Sequence, residues 1–337
     1  MLATAIIYAR TRPVRTGLLI MLVIAALLAV AQVVAYTRFL GFSRDLDRAM
    51  SAEPSGEAVE VSWSFPCRRG RTMVTVPVFE SEIAAGRALD TRHVFSSSGW
   101  LREAYVTRLV TAYAHSPLAE RLLERLRAIR SARGLNSDEY LEFVVSAVQA
   151  IPYGVPDAEV AFPAEVLTGG TGVCSDKSLL LAGLLLAEGY DTVVWIFPTQ
   201  WHTAVGVASD GAVFLDSGYA FIETTSPAFV GQVAQPLQAR GPVAAPPQEI
   251  RVGGRLRYEA GAEVEFILGE LRSARTSAAG AARYALYART DEKHRGRYAE
   301  RMTESWVAEG RARYILTNTH DRPAVYRVLA RTAGDRS

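Results

Sequence analysis

Cys174 stands where a glycine-rich approach, TGGTGVC, enters an apolar helix. Free backbone N–H groups and the positive end of the helix dipole favour a thiolate there, and the same donors can hold an oxyanion. The plainer reading is a small buried hydrophobe. A thiol nucleophile needs a base. Of the five histidines, His93, His115, His294 and His320 lie in polar or turn-like contexts, whereas His202 opens a strand shortly after the cysteine helix. Ala204, Gly206 and Ala208 share its face, and small residues there would let a helix approach closely. A catalytic imidazole also needs an acceptor on its far nitrogen. A tight turn at Ser209-Asp210-Gly211 brings Asp216 opposite His202, whereas a longer excursion brings Glu223 there instead. Both registers keep the alternation of faces consistent, so periodicity leaves the two acids open. Asp176, in the first helical turn, reads as a dipole-complementing residue.

Elements must hold these groups. Residues 59–65 and 72–78 alternate apolar and polar positions around Cys67, Arg68, Arg69 and Gly70, which predicts a hairpin. Ser116 followed by Pro117 predicts a helix start, with leucines at 118, 122, 123 and 126 on one stripe. Asn136 or Ser137 caps a further helix, with Asp138 and Glu139 in its first turn, and that helix should stop before Pro152. The stretch from Cys174 to Glu188 contains LLLAGLLLA and is apolar nearly all round, so it is expected to be buried on every side, with Gly189 as its stop. Strands follow at 191–197, at 202–208 and on either side of 217–218. GQVAQPLQARGPVAAPPQ, residues 231–248, has no structural period and predicts a linker. RLRYEAGAEVEFIL beyond it looks like a hairpin, and 296–313 fits a helix or extended chain.

From Gly17 to Tyr36 the chain is uncharged and carries one polar side chain, Gln32. A helix of that length covers roughly 30 Å, the thickness of a bilayer's hydrocarbon core. A membrane anchor is therefore expected at 17–37. Arg10, Arg12 and Arg15 precede it and Arg38, Arg44 and Arg48 follow, so the positive-inside rule is balanced. The short leading tail, 1–16, is easily left in the cytoplasm, which places residues from about 40 onward outside the cytoplasmic membrane. The remaining units are expected at 55–230 for the main domain, 231–249 for the proline-rich linker and 250–337 for an accessory domain containing strands.

Composition sets outer bounds. A chain of 337 residues and 36.7 kDa implies two units or one domain with extensions. Its 37 basic and 35 acidic side chains leave no field of the kind a nucleic-acid binder gathers into a patch. Two cysteines make neither a disulfide framework nor a cysteine-rich zinc site. A zinc site built from Cys174, His202 and an acid is a weaker reading, and a disulfide between Cys67 and Cys174 would block the nucleophile.

The stretch GTGVCSDKSLLLAGLLLAEGYDTVVWI, the strand HTAVGVA and the following ETT resemble the transglutaminase-like superfamily, most closely its membrane-anchored prokaryotic branch. FVVSAVQAIPYGVPDAEVAFPAEVLTGG is similar to that branch's segment leading to the cysteine, and the resemblance spans roughly 59–231. It implies an α+β fold with a papain-like core, in which a central helix packs on an antiparallel sheet, with Cys174 as nucleophile, His202 as base and Glu223 as acid. The family's more widespread ending matches AVFLDSG instead and keeps Asp216 as the alternative acid. Val173 and Ser175 stand where many members of the branch have acids, and Ala204 where an aromatic is common. The implied activity is acyl transfer through a thioester on a protein or peptide substrate, as a peptidase or amidase. A crosslinking transglutaminase and a non-catalytic binding module at the membrane surface are the alternatives. No metal or other cofactor and no nucleic-acid partner is implied.

Overall fold

The computed structural model describes residues 2–67, 70–97, 99–155, 160–209, 214, 217–226, 228, 230–231 and 247–258, together with short strands between 264 and 328. It is a mixed α+β protein. Helix α1, Leu2–Ser51, contains the apolar stretch but does not end with it. The helix runs on as one piece past residue 37, where the membrane segment is expected to end, because residues 38–51 are rich in good helix formers and the next proline is Pro54. Strands β1 (Ala58–Cys67) and β2 (Gly70–Phe79) form the predicted hairpin, from Ala58↔Phe79 to Cys67↔Gly70.

Helices α2 (Glu80–Arg87), α3 (Gly99–Ala114), α4 (Pro117–Arg133) and α5 (Ser137–Gln149) follow. Ser116 caps α4 by accepting from the Ala119 N–H at 3.2 Å. Asn136 is the cap of α5, in a reciprocal box: its side chain accepts from Glu139 N at 2.8 Å and the Glu139 carboxylate accepts from Asn136 N at 3.0 Å. A short helix α6 (Pro163–Gly169) leads to α7, Cys174–Ala187. Leu179, Leu181 and Leu185 of α7 are fully buried, and so is Lys177. At roughly 1.5–3 kcal/mol per leucine, this burial is what fixes α7 at the centre. Gly189, just past the helix, takes φ +88°, the left-handed conformation that ends it cheaply.

Strands β3 (Thr192–Phe197), β4 (His202–Ala208), β5 (Tyr219–Ile222) and β6 (Gln248–Gly253) make one antiparallel sheet in the order β5-β4-β3-β6. One face, with Val194, Ile196, Val205, Val207, Ala220, Ile222 and Ile250, joins the core of α7 leucines. The other, with Val193, Trp195, Phe197, Ala204, Ala208 and Phe221, forms a separate aromatic cluster with Phe214 and Tyr219. The small residues of β4 therefore do not receive the helix, as their sizes suggest. A Cβ on Gly206 would lie 2.6 Å from the Trp195 ring, so these positions make room for the Trp195–Phe221 stack on the face away from α7.

Two further expectations change. The unit expected to start at 250 does not begin there, because β6 pairs with β3 as the edge of the main sheet, with Ile250 fully buried. Strand pairing across such a sequence distance leaves no local signal. Nor does RLRYEAGAEVEFIL close on itself: β7 (Val264–Ile267) pairs with β12 (Val325–Val328). Between them, β8 (Ala282–Tyr284), β9 (Leu286–Tyr287), β10 (Ser305–Ala308) and β11 (Arg311–Ala312) complete two three-stranded antiparallel sheets. The linker residues 232–246 and Asp216 lie outside the described residues.

Candidate functional site

The sheet and α7 meet at one end, where β4 begins and α7 starts. In the β4–β5 ladder Val205 faces Ile222 and Ala208 faces Tyr219, which makes residues 209–218 the longer excursion. Glu223 follows directly on β5, one residue beyond the last pair, on the same face as Ala204 and diagonal to His202. Its Oε2 lies 3.2 Å from His202 Nε2. The thiol of Cys174 lies close enough to the His202 ring for the two to shift each other's pKa. Cys174, His202 and Glu223 thus form one interacting group, with His202 between the other two. Cys174 is a free thiol, partly exposed, while the side chain of Cys67 is not among those described.

The carboxylate of Glu223 is fully buried and held from several sides. Its Oε1 accepts from Thr224 N at 3.0 Å, Thr225 N at 2.8 Å and Thr225 Oγ1 at 2.6 Å. Burial alone would raise its pKa. The hydrogen bond to His202, that ring's charge and the Thr225 bonds outweigh it and keep Glu223 below the usual carboxylate range. Burial likewise works against charge on His202, yet hydrogen bonds to Cys174 and Glu223 and the two negative charges carry it from 6.5 up to about 9. On Cys174, burial opposes ionisation but the His202 contact prevails, with N–H donors from Thr203 and Ser175, and its pKa falls below the ordinary 9.0. All three directions favour a thiolate facing an imidazolium that is braced by a carboxylate.

The surroundings include residues that the sequence does not single out. Gln149, at the last turn of α5, donates to the Glu223 carbonyl at 2.7 Å and to Ala228 O at 2.9 Å, fixing the backbone that carries the acid. Lys177 donates from Nζ to Gln149 O at 3.1 Å and Ile151 O at 2.6 Å, which ties the end of α5 to the first turn of α7. Burial lowers the Lys177 pKa to about 8, with Glu223 opposing. Ser178 bonds the Thr203 carbonyl and the Thr224 hydroxyl, both at 3.1 Å, locking α7 to β4 and to the acid's loop. Asp176 does more than complement a dipole. Fully buried, it accepts from Val173 N and Ala161 N at 3.0 Å each, and burial raises its pKa to about 6. It joins the start of α7 to the loop before α6. Only Lys177, one of two lysines in the chain, was a visible cue. The others act through partners distant in sequence.

Among the described residues, no three His, Cys, Asp or Glu side chains converge as a metal-ligand set. Among the described residues one helix, α1, is long and apolar enough to cross a membrane. No family model, curated protein or solved structure matches the chain.

Proposed function

We propose that this protein is a membrane-anchored, transglutaminase-like cysteine acyl-transfer enzyme with a papain-like core, acting as a peptidase or amidase. The observation that carries the reading is the Cys174–His202–Glu223 relay, with its buried and multiply bonded acid. In the proposed reaction the Cys174 sulfur attacks an amide carbonyl, and the N–H groups at the start of α7 receive the oxyanion. As the C–N bond breaks, the His202 imidazolium gives its proton to the leaving nitrogen. A thioester remains. Water, deprotonated by His202, then cleaves it, releasing the acid and restoring the thiolate–imidazolium pair. Hydrolysis is the reading preferred over crosslinking, since among the described residues no amine-binding feature accompanies these three groups. Helix α1 supplies the anchor, with the short leading tail in the cytoplasm and residues from about 40 onward beyond the membrane.

Alkylation tests the nucleophile. Iodoacetamide added to the folded protein, followed by peptide mapping, should modify Cys174 at pH 6, where an ordinary thiol is nearly inert, and His202→Ala should abolish that low-pH reactivity. A Cys174 that reacts only after denaturation would overturn the enzyme reading and leave a non-catalytic module.

A further inference from the structure

The relay lies at the end of the domain nearest the proposed anchor. Helices α1 and α3 run side by side in the same direction, because their contacts climb in step. Tyr36 meets Trp100, Phe39 and Phe42 pack on Tyr105, and Arg108 bonds Ser43 at 2.7 Å and pairs with Asp47. The first turn of α3 is therefore level with Tyr36, where the uncharged stretch of α1 ends. Trp100 and Tyr36 are each 49% exposed, with Arg38 two residues further on. An exposed tyrosine–tryptophan pair bordered by arginine at the end of an apolar helix suits the headgroup layer, where aromatic rings gather.

The sheet is tied to that same level. Gln248, the first residue of β6, donates to Gly99 O at 3.3 Å and accepts from Arg102 at 3.1 Å. Gln248 pairs with Ile196, and the next residue of β3, Phe197, pairs with His202. The end of the sheet that carries His202 is thus the end fastened to the start of α3. Strands β6 and β4 are two spacings apart, about 10 Å. Between Phe197 and His202 the chain turns through Trp201, which is 87% exposed with φ +50°. A tryptophan so open to solvent is costly in water and favourable among headgroups.

Resting on the anchoring reading above, we propose that this end of the domain docks on the phospholipid surface, with Trp100 and Trp201 seated at headgroup level. The relay is then held against the bilayer, and the amide it cleaves is one presented within a short distance of the lipid. Tryptophan quenching tests this on the full chain in nanodiscs of phosphatidylcholine brominated near the top of its acyl chains. Wild-type emission should be partly quenched by the lipid, and both Trp201→Phe and Trp100→Phe should lose part of the quenchable fraction. Aqueous iodide should quench Trp201 less in nanodiscs than in detergent. If the chain enters nanodiscs but Trp201→Phe leaves lipid quenching unchanged while iodide still reaches Trp201, docking is overturned and the anchor stands. If the chain fails to co-purify with nanodiscs, the anchor itself falls and docking with it.

Discussion

A cysteine with a pKa near 9 is almost wholly protonated at neutral pH, and the proposed chemistry depends on how far His202 changes that. With Cys174 shifted down and His202 shifted up to about 9, the two shifts favour the thiolate–imidazolium pair below about pH 9. Activity on an amide should therefore rise along an acid limb set by Cys174 and fall through about pH 9, as the imidazolium loses the proton the leaving nitrogen needs. Glu223 supports that upper limit by hydrogen bond and charge. Glu223→Gln should move the alkaline limb toward the ordinary histidine value near 6.5 and lower kcat by roughly 10²- to 10⁴-fold. A pH–rate profile of the variant checks both, and an unmoved alkaline limb would show that the carboxylate does not govern the ring. The shift has a stability side. A histidine whose pKa is raised on folding stabilises the fold fully below about 6.5 and loses that contribution as pH rises through about 9.

Individual elements are joined by buried polar groups as well as by leucines. Glu142 in α5 is 2% exposed and accepts from Val230 N at 3.1 Å and from the Tyr258 hydroxyl at 3.4 Å, joining the helix to segments on both sides of the proline-rich stretch. Burial pushes its pKa up to about 8. Asp138 adds to the rise, and the Val230 and Tyr258 bonds oppose it. The folded protein consequently holds a proton here between about pH 4.5 and 8 that the unfolded chain gives up. Stability falls as pH rises across that window, and the full penalty applies above it. Glu142→Gln keeps the shape and the acceptor oxygen while removing the titration. Urea denaturation at pH 5, 7 and 9 should give a variant whose stability declines less with alkali than the wild type; parallel declines would place the sensitive group elsewhere.

Over the whole molecule, α1 serves as part of the domain as well as its proposed anchor. Phe42, against Tyr105 of α3, and Leu46 are buried in the main core, whereas the apolar residues from Leu19 to Val34 are broadly exposed. A chain beginning at Thr37 should thus remain folded and lose only the membrane segment. Removing residues 1–52 should cost about 3–6 kcal/mol, from two buried side chains at 1.5–3 kcal/mol each. Denaturation of the two truncated chains in urea measures the difference, and equal stability would mean the helix past residue 37 contributes nothing to the core.

Local signals read along the chain were sufficient for the β1–β2 hairpin, the Ser116 cap, the α7 helix with its glycine stop, and the apolar length of α1. Each depends on residues within a few positions of one another. They also placed Cys174 and His202 as the groups to watch, and they left Asp216 and Glu223 balanced. Only tertiary structure could bring Glu223 to His202, because that contact rests on how long the chain wanders between β4 and β5, and an alternating pattern is blind to that. Folding also reversed the role assigned to Ala204, Gly206 and Ala208, since residue size does not say which face of a sheet a helix covers. The buried partners Gln149, Lys177 and Thr225, the return of β6 to β3 and the nearness of the sheet's end to Tyr36 are all pairings between distant segments. Such pairings are set by which surfaces exclude water together, and no short window of sequence contains both sides of them.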